Sequence, residues 1–343
     1  MSHQIDMQTG VPAIAYVETE DKPWHGLGTP VFQAMTAQEA IELGRLNWIV
    51  EPQPVFTRDG KIIDRSRVIV RLDTQFPLGI VKGKYQIVQN KDAFSMLDSL
   101  VEGGLKYHTV GSLFDGRKIW LLAKLPGQIQ VIGQDVVDKF LLLSTSHDGS
   151  QTLRIMFTPI RVVCNNTLTT AQNELGANYL LNAKHTHNIT KKIVAIKDFF
   201  VDINRRSKEF QDASKAMVCK TLNDEQIEAF LFDVLGYSKT IKATVEGKVI
   251  YNYLDGNDAD LVPTRTVNVV ERIKELHEVG PGANLPGVKG TIWGAYNAVT
   301  NYADFHSVVK HNSEEARLNS AFFGNMATLK DRAFTKAMQL VTT

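Results

Sequence analysis

Apolar and polar positions follow two different periods along this chain. From Leu78 to Leu168 short apolar runs alternate with turn residues, and from Lys184 onward apolar residues recur three and four positions apart. In the first region, Lys91 to Val101 places Ala93, Phe94, Leu97, Leu100 and Val101 on one helical face, and Gly103-Gly104 ends the pattern. The runs Lys106 to Leu113 and Arg117 to Leu125 flank Phe114-Asp115-Gly116, while Phe140 to Ser146 and Thr152 to Val163 flank Asp148-Gly149. Asp-Gly between alternating runs signals a β-hairpin, because both residues tolerate the positive φ of a tight turn. The prediction is an α+β unit: one helix and a curved antiparallel sheet of two consecutive hairpins. Pro159 lies inside the last run and predicts an edge or a bulge there. Asn165-Asn166-Thr167 predicts a strand end and the cap of a helix reaching about Ala177.

On the N-terminal side, residues 1–75 read as an arm with a short helix near Thr36 to Leu46 and strands at Trp48 to Phe56 and Arg67 to Leu72. Thr36 and Glu39 have the spacing of a capping box. Residues 76–183 form the α+β core, and residues 184–343 are predicted to be mainly helical. There, Ile189, Ile193, Ile196, Phe200, Ile203, Ser207, Phe210, Ser214 and Met217 make a four-three seam suited to a coiled coil or bundle. Further helices are expected at Asp224 to Leu235, Thr266 to Glu278, Thr291 to Asp304 and Ser313 to Gln339. A small hairpin is expected around Gly247, and a Gly/Pro-rich loop from Gly280 to Gly290.

Composition narrows the function classes. The 343 residues are 43% hydrophobic, enough for a sizeable core, and the formal net charge is +1. Any polyanion contact therefore needs local segregation of charge. Two cysteines, Cys164 and Cys219, are too few for a disulfide framework or a four-thiolate zinc site, and a reducing cytoplasm is the expected compartment. Neither a leader nor a membrane span is expected.

Several motifs point to one family. Lys22-Pro-Trp-His-Gly-Leu-Gly28, Tyr85-Gln-Ile-Val-Gln-Asn90, Leu143-Ser-Thr-Ser-His-Asp148, the run from Arg161 to Leu168 and Gly290-Thr-Ile-Trp293-Gly-Ala-Tyr-Asn297-Ala-Val occur in one order. In these the chain resembles the phage/plasmid-like protein family, a domain-of-unknown-function family of mobile genetic elements. The resemblance covers most of the chain and implies a phage or plasmid origin, but it brings no catalytic residue. More remotely, the helix-then-hairpins core is similar to Redβ/RecT-type annealing proteins, which assemble as rings or filaments.

The residues themselves offer two basic regions. Lys184 to Lys220 holds nine cations, among them Lys191, Lys192, Arg205 and Arg206, against Asp198, Asp202, Glu209 and Asp212. Such a stripe suits phosphate neutralisation, and it equally suits a solvated helix face with intrahelical pairs. In the core, Lys82, Lys84, Tyr85, Arg117, Lys118 and Arg161 mingle with aromatic residues, as expected of a groove that tracks a phosphate backbone and stacks bases, or of ordinary packing around Trp120 and Phe114.

Other motifs carry less. Gly79 to Tyr85 mimics a P-loop, with its glycines too close and no Ser/Thr after the lysine. Gly282 to Thr291 could hold one phosphate at a helix start with Lys289. His185 and His187 lack a third metal ligand, the acidic turn Asp255 to Asp260 lacks a calcium-loop glycine and terminal acid, and Cys164 near Arg161 and His147 reads as structural. No cofactor, metal or catalytic set is expected. The reading is a non-enzymatic nucleic-acid-binding protein of a mobile element, binding or annealing single-stranded DNA as a homo-oligomer. The alternative is a factor that binds a host or phage protein through its Trp24 arm and helices.

Overall fold

The computed structural model describes residues 6–17, 28–33, 35–163, 166–167, 179–189, 199–238, 240–245, 248–255, 258–309 and 313–342. The chain opens with two short parallel neighbours, β1 (Ile14–Val17) and β2 (Thr29–Val31). Helix α1 (Ala37–Leu43) follows, and the expected capping box closes it: Thr36 Oγ1 accepts from Glu39 N while Glu39 reaches back to Thr36 N. A separate three-stranded antiparallel sheet comprises β3 (Val50–Phe56), β4 (Ile62–Arg71) and β5 (Phe76–Lys82). Helix α2 (Asn90–Ser95) and a 3-10 turn at Asp98–Leu100 occupy the expected helical run.

The two expected hairpins are present, and they belong to a larger sheet. Strands β6 (Lys106–Leu113), β7 (Lys118–Ile132), β8 (Asp135–Ser146) and β9 (Leu153–Arg161) form a continuous meander. Both residues before Gly116 take positive φ, Phe114 at 56° and Asp115 at 60°, as a tight turn requires. Pro126 does not end β7, because it falls where the ladder skips from Lys124 to Gln128 and no N–H is needed. On one edge β1 pairs with β6. On the other, β9 carries β10 (Asn166–Thr167) and β11 (Tyr179–Ala183). Pro159 pairs with Lys139 on its inner side and lies between the stretches of β9 that meet β11 and β10, which suits a residue without an N–H. The helix expected after Thr167 lies outside the described residues, as do Trp24 and Cys164.

The segment after residue 184 is not the mainly helical half that periodicity suggests. Between helices α3 (Phe199–Cys219) and α4 (Asp224–Val234) on one side and α5 (Thr264–Val279) on the other, it inserts an antiparallel sheet of β12 (Thr240–Val245), β13 (Lys248–Asp255) and β14 (Asp258–Leu261). Helix α6 (Ile292–Asn301) continues as a π-turn, Tyr302–His306. The last expected helix is two, α7 (Glu314–Phe323) and α8 (Asn325–Thr342), broken at Gly324.

Alternation along β7 sorts its side chains to two faces. Ile119, Leu121, Ala123, Leu125 and Ile129 enter the main core with Ile203, Phe210 and Met217 of α3. Trp120 and Leu122 enter a smaller cluster with Phe140, Leu142 and Leu318, against which Phe322 packs. Among the described residues, the seam positions Ile203, Phe210, Ser214 and Met217 of α3 are buried inside the chain, where the helix packs on β7, α6 and α8. Burying each apolar side chain among them contributes about 1.5–3 kcal/mol, which favours covering the seam at once.

Candidate nucleic-acid interface

Beyond the main sheet the β3–β4 hairpin projects into solvent. Phe56 through Arg65 are exposed without a break, in contrast to the buried Val50, Ile69, Val70 and Arg71 at its base. The tip turns at Arg58-Asp59-Gly60, with Gly60 at φ +81° donating its N–H to Thr57 O, and Thr57 N donating to Lys61 O. Below it β4 bulges: Pro54 pairs with Arg67 and Phe56 with Ile62, so several residues of β4 face one of β3. Arg65 takes φ +61° in this bulge, and its carbonyl accepts from Gly83 N at 2.7 Å.

That bond and the Ser66–Lys82 register bring Lys82 and Lys84 beside Arg65 and Arg67, with Arg58 and Lys61 farther out. All six side chains are exposed. Among the described residues none of the six has a carboxylate at ion-pair distance, although Asp59 and Asp64 lie on the same hairpin. Arg67 Nη1 donates to its neighbour Ser66 O, which leaves the rest of the fork to solvent. The Phe56 side chain, 53% exposed, stands on the same projection.

The remaining sequence-predicted residues do not join this surface. Arg161 is 1% exposed, with Nε and Nη2 donating to Asp135 Oδ1 and Oδ2 at 2.7 and 2.6 Å, and the indole of Trp293 donates to the same carboxylate. Arg206 is buried and donates to Tyr179 O, and burial lowers its pKa. These two are corrected from surface contacts to internal ones: the Arg161 fork is met by the Asp135 carboxylate, while Arg206 is withdrawn from solvent with its bond to Tyr179 O. Arg205 is exposed but held by Asp202 and Glu209 at 3.3 and 2.6 Å. Tyr85 donates its hydroxyl to Ser146 O and stacks on His185, so its ring serves packing and is not free to stack on a base. Burial, helped by Asp148, pushes its pKa far above 10. Arg117 lies over Phe76, and Lys118 donates to Asn319 and lies over Phe114. Lys191 and Lys192 lie outside the described residues. The phosphate site considered at Thr291 is also closed: Lys289 pairs with Glu278 at 2.5 Å, and the Thr291 side chain accepts from Gly294 N itself.

A second cationic feature lies between α5, the π-turn and α8. It is a cavity of about 570 Å3 whose lining includes Arg265, Arg272, Arg332 and His306, with no carboxylate among its lining residues. Arg332 Nη1 donates to Val234 O at 3.1 Å, and Arg272 Nη2 donates to His306 Nδ1 at 3.2 Å. Desolvation, with Arg272 and Arg317 nearby, lowers the His306 pKa and keeps this imidazole a neutral acceptor. Among the described residues there is no group of three or more His, Cys, Asp or Glu placed to hold a metal ion, and no helix is long and apolar enough to cross a membrane.

A family model described as a domain of unknown function, DUF932, matches residues 77–323, more than half of the chain. This chain belongs to the DUF932 family. No curated protein and no solved structure matches it. Within the DUF932 match lie Lys82, Lys84 and most of the cavity, whereas the hairpin tip precedes it.

Two parts of this DUF932 chain escape a reading of the sequence by runs. The hairpin tip is a third Asp-Gly turn, Asp59-Gly60, flanked by Val55-Phe56 and Ile62-Ile63. That signal equals the two that predict the core hairpins. The cavity wall is marked by Arg265 and Arg272, seven apart on α5 and therefore on one face, with Val269 between them. Its opposite wall, Met326 to Arg332, is too distant in sequence to be joined to it by spacing.

Proposed function

We propose that this DUF932 chain binds single-stranded nucleic acid, DNA of a mobile element in the setting the family resemblance implies, through the projecting β3–β5 arm. The observation that carries the reading is the set of six exposed cations that, among the described residues, have no carboxylate at ion-pair distance, on one narrow projection. An unpaired surface cation keeps its counterions, and phosphate contact releases them, so binding tolerates sequence and weakens with salt. The exposed Phe56 ring adds a stacking platform, worth about 1–3 kcal/mol where a base covers it fully. A backbone held this way leaves most base edges open to a second strand, which suits annealing.

A second reading has one observation in its favour: Ile62 and Ile80 on the same arm are 58% and 65% exposed, an apolar surface that suits a protein partner. Fluorescence anisotropy with a labelled oligo(dT) separates the two. The nucleic-acid reading expects Arg65→Glu/Arg67→Glu/Lys82→Glu/Lys84→Glu to weaken binding by about a hundredfold or more, with circular dichroism unchanged. Unaltered affinity in that variant would reject the arm as the binding surface.

A further inference from the structure

The cavity between α5 and α8 is independent of the arm, and its chemistry is that of a small-ligand site. At about 570 Å3 it falls within the range of roughly 300–1,000 Å3 found for such sites. Both helices contribute to a mixed lining: Arg265, Val269 and Arg272 from α5, and Met326, Leu329 and Arg332 from α8. We propose that this cavity binds a nucleoside monophosphate, its ring against the apolar side chains of Val269, Met326 and Leu329 and its phosphate on the guanidiniums.

The arginines are prepared for an anion. The bonds from Arg332 to Val234 O and from Arg272 to His306 fix two of the forks while leaving further N–H groups undirected. Glu275, which is not among the lining residues, pairs with Arg272 Nη1 at 2.5 Å, so Arg272 reaches the cavity already partly neutralised. Arg265 has no carboxylate at ion-pair distance among the described residues. Planar forks match phosphate oxygens two at a time, which selects phosphate over a diffuse anion. Asn268 and Asn325 also line the space, and each carries an amide that both donates and accepts, as a base edge requires. The wall between the helices is the π-turn Tyr302–His306, a helix irregularity that recurs at functional sites.

A free mononucleotide and the terminal nucleotide of a strand present the same chemistry here. Calorimetry on the full chain tests the proposal, with AMP, adenosine and inorganic phosphate as probes. AMP is expected to saturate one site, adenosine to give no binding, and phosphate to bind more weakly than AMP. Arg265→Ala and Arg332→Ala, both at exposed positions, are each expected to weaken AMP by about tenfold, equivalent to about 1.4 kcal/mol. Bound phosphate is also expected to raise the His306 pKa, read by the imidazole chemical shift against pH. The arm variant is expected to keep AMP affinity, so loss of either reading leaves the other standing. Competition by a 5′-phosphorylated oligonucleotide but not by its 5′-hydroxyl form would assign the site to strand ends, and competition by neither to the free nucleotide. The proposal is overturned by absent or unsaturable AMP binding, by equal binding of adenosine or phosphate, or by unchanged affinity in both arginine variants.

Discussion

Arg161 and Asp135 form a two-pronged pair across the edge of the main sheet, at 2.7 and 2.6 Å, and both side chains are withdrawn from solvent. Trp293 Nε1 donates to the same carboxylate at 2.8 Å, and Arg161 also donates to Gly282 O. One carboxylate thereby ties β8 and β9 to the loop before α6 and to α6 itself. Removing the cation strands a buried charge, so Arg161→Met is expected to cost about 3–5 kcal/mol in a urea melt. The double variant Arg161→Met/Asp135→Leu should recover part of that loss. A single variant that melts like the parent would show the pair to be dispensable.

Lys330 plays the corresponding part for α8. Its Nζ donates to Asp304 Oδ1 at 2.7 Å and to Thr167 Oγ1, while Asp304 Oδ2 accepts from Thr167 N and Oγ1 at 2.7 and 2.8 Å. Asp304→Ala takes the carboxylate away from a buried ammonium, and is expected to destabilise by about 3–5 kcal/mol. Asp304→Asn, which keeps an acceptor, should cost less, and thermal melts of the two variants give the order directly.

Stability should fall on the acid side. Burial, with lesser contributions from His185 and Arg71, holds the His147 pKa down at about 3, and burial with Lys124 holds His108 at about 4, against 6.5 ordinarily. Below pH 6.5 the unfolded chain takes up protons that the folded chain refuses. Stability is then full above about pH 6.5 and declines as the pH falls and the unfolded imidazoles charge, down to about pH 4 for His108 and about pH 3 for His147. Urea midpoints at several pH values measure this, and His108→Gln should flatten the decline. An equal slope in that variant would show that His108 does not contribute.

Local chemistry made part of this fold legible. The capping box at Thr36, the Asp-Gly turns before Arg117 and Ser150, and the face of α3 all depend on residues within a few positions of one another. What the sequence conceals depends on distant partners. Arg161 reads as a surface cation until Asp135 and Trp293 are brought to it, and Arg206 until the chain delivers Tyr179 O. Arg205 looks the same in sequence yet spends its charge on Asp202 and Glu209 one turn away. Counting cations along a helix therefore overestimates the free charge, whereas the arm cations form a set only once β4 and β5 pair.

The salt dependence of oligonucleotide affinity tests the arm most directly. Each phosphate contact on a single strand contributes about 0.7 to the slope of log affinity against log salt. Parent and Arg65→Ala/Arg67→Ala/Lys82→Ala/Lys84→Ala chains, titrated with oligo(dT) over a range of salt, should differ in slope by roughly two to three as up to four contacts are lost. Parallel lines for the two proteins, or a parent affinity indifferent to salt, would contradict the account.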